Sequence, residues 1–161
     1  MLHFTLKDWI RQSLVAALYA VLVLLFIPIS FGDIQFRVAE LLLILVFFDK
    51  KSVVGLTVGT FVANLYSPGP QLPFDLTLGV LATFLSVYAM VFIKNKYIAL
   101  LAPTLFNGII VGFILNIVWD LPLFLTMGYV AIGEFAVTYM VGLPLYKLLN
   151  KHTGFKSLFE D

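Results

Sequence analysis

An arginine and a glutamate, Arg37 and Glu40, stand three positions apart in a stretch that is otherwise uncharged. Side chains at this spacing share one face of a helix. Residues 12–32 and 41–48 carry no charge, so the pair is expected to lie at membrane depth. An ionisable side chain there costs about 2.5–3.5 kcal/mol on insertion scales and commonly marks a functional site. A further glutamate, Glu134, lies inside a later apolar segment.

These three charges leave one carboxylate in excess, which predicts a ligand that supplies hydrogen-bond donors or positive charge. Two structural alternatives stand beside this interpretation. Arg37 and Glu40 could neutralise each other on one helix, or Glu134 could pair with Arg37 and hold two helices together.

The elements that position these residues are transmembrane helices. The chain has 161 residues, of which 61% are hydrophobic and 12% charged, and a mean hydropathy of +1.04. This leaves too little polar surface for a water-soluble globule. Its apolar runs are long and continuous, unlike the alternating strands of an outer-membrane barrel. The sequence therefore predicts an all-α integral membrane protein with a single domain over residues 1–161.

Six transmembrane helices are predicted between charged or proline-containing turns. They cover residues 9–29, 34–48, 52–66, 74–93, 97–118 and 125–149. The segment Ser67–Pro73 contains three prolines and is predicted to be a loop. Residues 150–161 are predicted to form a polar cytoplasmic tail that is frayed or lies at the surface. The start of the chain resembles a cytoplasmic lead-in rather than a removable signal peptide.

The positive charges fall on one side if the spans alternate in direction. On that side lie Lys7, Arg11, Lys50, Lys51, Lys94, Lys96, Lys147, Lys151 and Lys156, which leaves Arg37 as the exception. By the positive-inside rule, both termini are predicted to be cytoplasmic. The chain is thus expected in the cell membrane as a multi-pass protein, in contact with lipid.

Depth along the helices predicts a polar pocket that opens to the outside above a nonpolar floor. At 1.5 Å per residue, Glu40 and Glu134 both lie roughly 10 Å below the outer surface. The other candidate residues sit at the outer ends of the third to fifth spans or deeper: Asn64, Asp75, Trp119 and Asn107. Three of these residues have a structural alternative, because Asp75 also suits helix capping, Asn107 an interhelical hydrogen bond and Trp119 an interface anchor.

Small residues in the first span recur at intervals of four. Ser13 pairs with Ala17, and Ala16 with Ala20, which predicts a groove where another helix can approach closely. The helix in that groove could belong to a partner or to the protein's own bundle.

Enzymatic chemistry finds little support in the sequence. The chain has no cysteine, and its histidines, His3 and His152, lie near the termini. We find no nucleophile–base pair, metal-ligand spacing or phosphate-binding glycine loop. No catalytic residue, metal, cofactor or nucleic-acid partner is therefore predicted, and the chain is not expected to use ATP alone.

The six-span layout, the Ala16-x-x-x-Ala20 groove, the run from Gln35 to Glu40 and the pair Gly133-Glu134 resemble the QueT family. Members of this family are substrate-binding (S) subunits of energy-coupling factor (ECF) transporters assigned to queuosine precursors. The similarity extends over most of residues 9–149.

This resemblance implies a subunit that captures its solute from outside. It would dock through the first-helix groove onto a transmembrane coupling subunit carried by two ABC ATPases, and then reorient to deliver the solute. A 7-deazaguanine presents a two-donor edge that a carboxylate can accept. For such a ligand, we expect Glu134 or Glu40 at that edge, the other carboxylate near an aminomethyl cation, and Trp119 or a neighbouring phenylalanine at the ring face. The remaining polar contacts would come from Gln35, Arg37, Asn64, Asp75 and Asn107.

Four other functions remain compatible with the sequence. The same architecture could bind a different vitamin-like solute. The chain could instead be an autonomous small carrier or a structural membrane protein, and a membrane enzyme is a further possibility.

Overall fold

The fold is a bundle of helices, described by a computed structural model for residues 3–32 and 35–159. In chain order its main elements are α1 (Leu6–Leu25), a 3₁₀ helix (Val38–Phe47), α2 (Ser52–Asn64), α3 (Gly69–Phe92), α4 (Lys96–Trp119) and α5 (Leu123–Lys151). Four of them, α1, α3, α4 and α5, are long and apolar enough to cross a membrane, whereas the 3₁₀ helix and α2 are shorter apolar helices. The predicted all-helical membrane fold is confirmed, and the count of six spans stays a prediction.

Helix α1 begins with a reciprocal cap and packs against α2. Thr5 caps the helix and exchanges hydrogen bonds with Asp8, which satisfies backbone donors at the helix start. A Cβ atom placed on Gly59 would lie 2.8 Å from Cβ of Tyr19 and 2.9 Å from the carbonyl oxygen of Ala16. The two helices therefore approach so closely that only glycine fits at this position.

This packing corrects part of the predicted groove on α1. Ala16 and Ala20 are 8% and 6% exposed and lie in the interior of the bundle. Ser13 and Ala17 are exposed on another side of the helix. Both pairs share the four-residue spacing, but Gly59 of α2 packs closely on Ala16, and both alanines are buried, so they do not form a free surface.

The 3₁₀ helix lies at the centre of the bundle. It contacts α1, α2, α3 and α5, and none of its ten residues is exposed. Its residues are apolar on all sides except at Glu40, as is typical of a helix buried within a larger bundle. The 3₁₀ rise of about 2.0 Å per residue lets it extend about 20 Å, where an α-helix of equal length would extend about 15 Å.

The proline-rich segment is helical from Gly69 onwards, contrary to the prediction of a loop up to Pro73, whereas Ser67 and Pro68 precede the helix. Helix α3 begins with a 3₁₀ turn at Gly69–Gln71 and continues through Leu72–Phe74 into π-helical turns at Asp75–Gly79. Pro70 and Pro73 each occupy an early position of their helical turn. A missing N–H costs little there, because early amides have no intrahelical partner.

Helices α4 and α5 pack through two glycines. A Cβ atom on Gly112 would lie 2.6 Å from Cα of Met127, and one on Gly108 would lie 3.0 Å from Cβ of Ala131. Helix α5 changes to π-helical winding at Phe135–Val141 and returns to α-helical winding at Gly142–Lys151. The close approach of α4 fixes the position of the first α-helical part of α5, which ends at Glu134.

Over its described part, the tail packs on the bundle and lies at its surface, which is the second of the two predicted arrangements. A short helix, Thr153–Lys156, carries Phe155 into edge-to-face contact with Phe48 at 5.2 Å between ring centroids. The ring of Phe159 lies 6.1 Å from that of Phe48 and beneath the guanidinium of Arg11. These aromatic contacts hold the described part of the tail on the bundle.

Candidate functional site

Buried polar side chains from all the main helices meet in the interior. We call this set the polar cluster, and it comprises Tyr19 of α1, Arg37 and Glu40 at the start of the 3₁₀ helix, Asn64 of α2 with the following Ser67, Gln71 and Asp75 of α3, Asn107 of α4 and Glu134 of α5. Each of these residues is at most 8% exposed. Such burial of polar groups is unfavourable unless they find partners.

Glu40 is held by a tyrosine of the first helix. The hydroxyl of Tyr19 donates a hydrogen bond to Oε1 of Glu40. The second carboxylate oxygen, Oε2, is buried and accepts no hydrogen bond from the described residues. Sequence reasoning missed Tyr19, although a phenol in the middle of an apolar span was the available signal.

Glu134 is held by the asparagine predicted to lie deepest. Nδ2 of Asn107 donates to Oε1 of Glu134 at 2.8 Å, which joins α4 to α5. Oε2 of Glu134 and Oδ1 of Asn107 are both buried without a hydrogen-bond partner in the described chain. Glu134 immediately precedes the π-helical turns of α5, and such turns occur frequently at functional sites.

Arg37 lies among the carboxylates without direct ion pairing. Its Nε donates to the carbonyl oxygen of Ser30 at 3.3 Å, and its guanidinium lies 5.2 Å from the ring centroid of Phe31. The charge interacts electrostatically with Asp75, Glu40 and Glu134.

None of the ion pairs found among residues 3–32 and 35–159 includes Arg37. Neither of the two pairings considered as structural alternatives is formed, because Glu40 and Glu134 are held by neutral donors instead. Nη2 of Arg37 is buried and has no hydrogen-bond partner in the described structure.

Asp75 is the centre of a third group of hydrogen bonds. Its Oδ2 accepts from the hydroxyl of Ser67 and, at 2.9 Å, from Nε2 of Gln71. Nδ2 of Asn64 donates to the backbone carbonyl of Asp75 at 2.7 Å. Asp75 does not cap the start of α3, since that helix begins at Gly69. Sequence reasoning missed Ser67 and Gln71, which lay in the supposed loop.

Trp119 and Gln35 relate to the cluster less directly than predicted. Trp119 is 47% exposed, and its Nε1 donates to Oε1 of Gln71 at 3.2 Å. Gln35 is buried two residues before Arg37, in a left-handed backbone conformation with φ of 47°. Its side chain makes no hydrogen bond within the described structure.

The unpartnered atoms of the site are mainly acceptors. Five buried oxygens of the polar cluster accept no hydrogen bond from the described residues: Oε2 of Glu40, Oδ1 of Asn64, Oδ1 of Asp75, Oδ1 of Asn107 and Oε2 of Glu134. Two buried nitrogens, Nε2 of Gln35 and Nη2 of Arg37, are donors without a partner there. A site of this composition is suited to a molecule with several donors and a smaller number of acceptors.

The fold and the site together define a multi-pass helical membrane protein with an acceptor-rich polar centre. The chain matches the family model described as QueT transporter over residues 9–151. It is also 32% identical over 157 residues to a protein of Lactococcus lactis subsp. cremoris (strain MG1363) named queuosine precursor transporter QueT. This similarity covers 88% of the present chain and 91% of the relative.

The chain therefore belongs to the QueT transporter family, as its sequence motifs suggested. No solved structure matches it significantly.

Proposed function

We propose that this protein is the substrate-capture subunit of an ECF-type importer and that it binds a queuosine precursor from the outside. The proposal rests on the surplus of buried acceptor oxygens around Glu40, Asp75 and Glu134. The guanidinium of Arg37 lies among these three carboxylates. The Lactococcus relative is named a queuosine precursor transporter, which supports the same class of solute.

A 7-deazaguanine such as queuine complements this set of atoms. Its N1–H and 2-amino group supply two adjacent donors, which the unpartnered oxygen of Glu134 or Glu40 can accept. Its carbonyl oxygen can accept from Nη2 of Arg37 or Nε2 of Gln35. Two charge-assisted bonds of about 1.5–3 kcal/mol each and ring stacking of about 1–3 kcal/mol permit micromolar binding.

Binding to the purified protein tests the choice of solute. We expect calorimetry to detect queuine and its aminomethyl precursor, and to detect no heat with riboflavin, thiamine or biotin. Glu134→Gln and Glu40→Gln should each weaken binding about 10-fold or more, because an amide places a donor opposite the donor edge. Asp120→Asn, at an exposed position, is the matched control.

A dissociation constant that is unchanged in both glutamate variants would place the solute elsewhere. Tighter binding of one of the vitamins would instead favour the alternative of an S subunit for a different solute.

The proposed topology has six spans with both termini in the cytoplasm. Nine of the ten lysines and arginines lie near turns or termini that this topology places inside. The polar cluster then lies nearer the outer side, because Asn64, Ser67 and Asp75 surround the turn between α2 and α3.

Docking onto a coupling subunit is proposed for the exposed side of α1. Ser13 and Ala17 are exposed there, next to the exposed apolar side chains of Ile10, Leu14 and Leu18. Small residues at this spacing allow the close approach of a partner helix. This assignment keeps Ser13 and Ala17 of the predicted groove and leaves Ala16 and Ala20 to internal packing.

Co-purification with the coupling subunit and its two ATPases tests this surface. Replacing Ser13 and Ala17 together by leucine should abolish the association while leaving queuine binding intact. Thr77→Leu, on the exposed side of α3, serves as the control. Normal association of the double variant would contradict the docking surface, and uptake without any ATPase would favour the autonomous carrier.

A further inference from the structure

Three lysines line a cavity at one end of the bundle, away from the polar cluster. Lys94 of the turn between α3 and α4, Lys96 at the start of α4 and Lys147 of α5 surround a space of about 570 Å³. Tyr97 and Tyr146 belong to the same lining. Aromatic residues of this type are enriched where a helix meets the membrane surface.

The positive charge of this cavity is not neutralised by the described chain. No ion pair among residues 3–32 and 35–159 includes any of the three lysines. Nζ of Lys96 lies 4.4 Å from the ring centroid of Phe47, and Nζ of Lys147 lies 5.3 Å from that of Tyr97. The charge of Lys50 also acts on Lys96 and adds repulsion. An anion would therefore be favoured here.

An apolar groove begins beside the lysine turn. It has a volume of about 780 Å³, and it extends from Ile93 and Ile98, which flank the turn, to Gly128 and Ala131 of α5. Exposed apolar side chains such as Leu105 border it. A Cβ atom on Gly128 would meet nothing within 4 Å, so the groove is open at this point.

We propose that cavity and groove form one binding site for an anionic phospholipid. The phosphate would lie among Lys94, Lys96 and Lys147, and an acyl chain would follow the groove towards Gly128. Basic pockets between transmembrane helices bind anionic head groups in this way. An acidic protein segment would suit the lysines, but it would leave the adjoining apolar groove without a matching occupant.

Lipid retention by the full-length purified protein tests the head-group half of the site. Native mass spectrometry would compare phosphatidylglycerol with phosphatidylcholine of identical acyl chains, in the absence of transport substrate. We expect preferential retention of phosphatidylglycerol, and about tenfold weaker binding in Lys94→Gln/Lys147→Gln. Lys96 is kept, because it packs over Phe47. The matched control is Lys7→Gln/Lys151→Gln, which removes the same charge at two exposed positions.

Filling the groove tests the acyl-chain half. Gly128→Leu places a side chain in open space, so the protein should fold normally but retain several-fold less phosphatidylglycerol. Equal retention of the two lipids by the unmodified protein would overturn the proposal, as would an equal loss in the control double variant.

An acidic protein segment as the occupant makes the opposite prediction. A polyglutamate peptide would then displace phosphatidylglycerol with the same dependence on Lys94 and Lys147, and Gly128→Leu would have no effect. That result would also overturn the lipid assignment.

Discussion

At the scale of single residues, the site depends on neutral donors that hold charged acceptors. Tyr19 donates to one oxygen of Glu40, and Asn107 donates to one oxygen of Glu134. A direct contact with Arg37 would have engaged these carboxylates within the protein. Because the guanidinium acts on them only at longer range, each glutamate keeps one oxygen without a hydrogen-bond partner in the described structure.

Replacing the central cation should be costly. Arg37→Gln leaves Glu40, Asp75 and Glu134 without the charge that interacts with all three. Removing one partner from a buried set of charges typically destabilises by about 3–5 kcal/mol. We expect a markedly lower midpoint in thermal unfolding of the detergent-solubilised protein, with partial recovery in Arg37→Lys. Lys151→Gln, which removes an exposed charge, should leave the midpoint unchanged.

Tyr19→Phe removes the donor to Glu40 while conserving the ring. The variant leaves a buried carboxylate oxygen unpaired, so we expect a loss of about 1–3 kcal/mol in the free energy of unfolding. Chemical denaturation in detergent would measure it. Tyr129→Phe changes an exposed tyrosine and should have no comparable effect. If both variants unfold alike, the hydroxyl of Tyr19 contributes nothing to holding Glu40.

The charged residues of the site and the asparagines Asn64 and Asn107 could be predicted from the sequence, whereas the neutral partners Tyr19 and Gln71 could not. Glu40, Glu134 and Arg37 interrupt apolar runs, so their burial follows from hydropathy. Tyr19 does not interrupt its run, and tyrosine is also common at membrane interfaces. Gln71 follows two prolines, a context that suggests a loop.

At the scale of elements, the distance between α1 and α2 is set by glycine. A methyl group on Gly59 would lie 2.8–3.0 Å from atoms of Tyr19 and Ala16, and two of these contacts are with backbone. The helices would have to separate to accept it. Tyr19 lies in this contact, so the spacing of the two helices also positions the donor to Glu40.

Gly59→Ala should therefore destabilise the bundle by about 1–3 kcal/mol through overpacking. Gly128→Ala is the matched control, because its methyl group would meet nothing within 4 Å. In a helix, that change alone is expected to stabilise by about 0.5–1 kcal/mol. Thermal unfolding of the two variants should move in opposite directions. A shift of the same sign in both would contradict the close packing of α1 on α2.

Helix positions were predictable to within a few residues, but helix winding was not. Apolar runs between charged turns locate α1, α2, α4 and α5. The 3₁₀ winding of Val38–Phe47 has no signature in its side chains, because it reflects contacts with four surrounding helices. The orientation of α1 was likewise ambiguous, since Ser13/Ala17 and Ala16/Ala20 have the same spacing.

At the scale of the whole molecule, ion pairs join α1 to the turn that precedes α2. Nζ of Lys51 lies 2.7 Å from Oδ2 of Asp8, and Nη1 of Arg11 lies 3.4 Å from Oδ2 of Asp49. In the proposed topology both pairs lie at the cytoplasmic end, beside the tail residue Phe159. They therefore close the end of the bundle opposite the polar cluster.

The absence of cysteine permits a direct test of the topology. Single cysteines introduced in place of Lys151 and Asp120, both exposed, should be labelled from opposite sides of the membrane. We expect a membrane-impermeant maleimide applied to intact cells to modify the cysteine at position 120, and the one at position 151 only after lysis. Labelling of both from the same side would exclude six alternating spans.

The order in which the polar cluster is synthesised has a consequence for biogenesis. Glu134 belongs to α5, the last of the main helices, and it meets Asn107 of the preceding helix. During translation, Arg37, Glu40 and Asp75 enter the lipid phase before this carboxylate leaves the ribosome. Nascent chains stalled before α5 lack the carboxylate of Glu134, so they should remain dependent on the insertion machinery and its chaperones. We expect quality-control proteases to degrade these chains faster than the full-length protein.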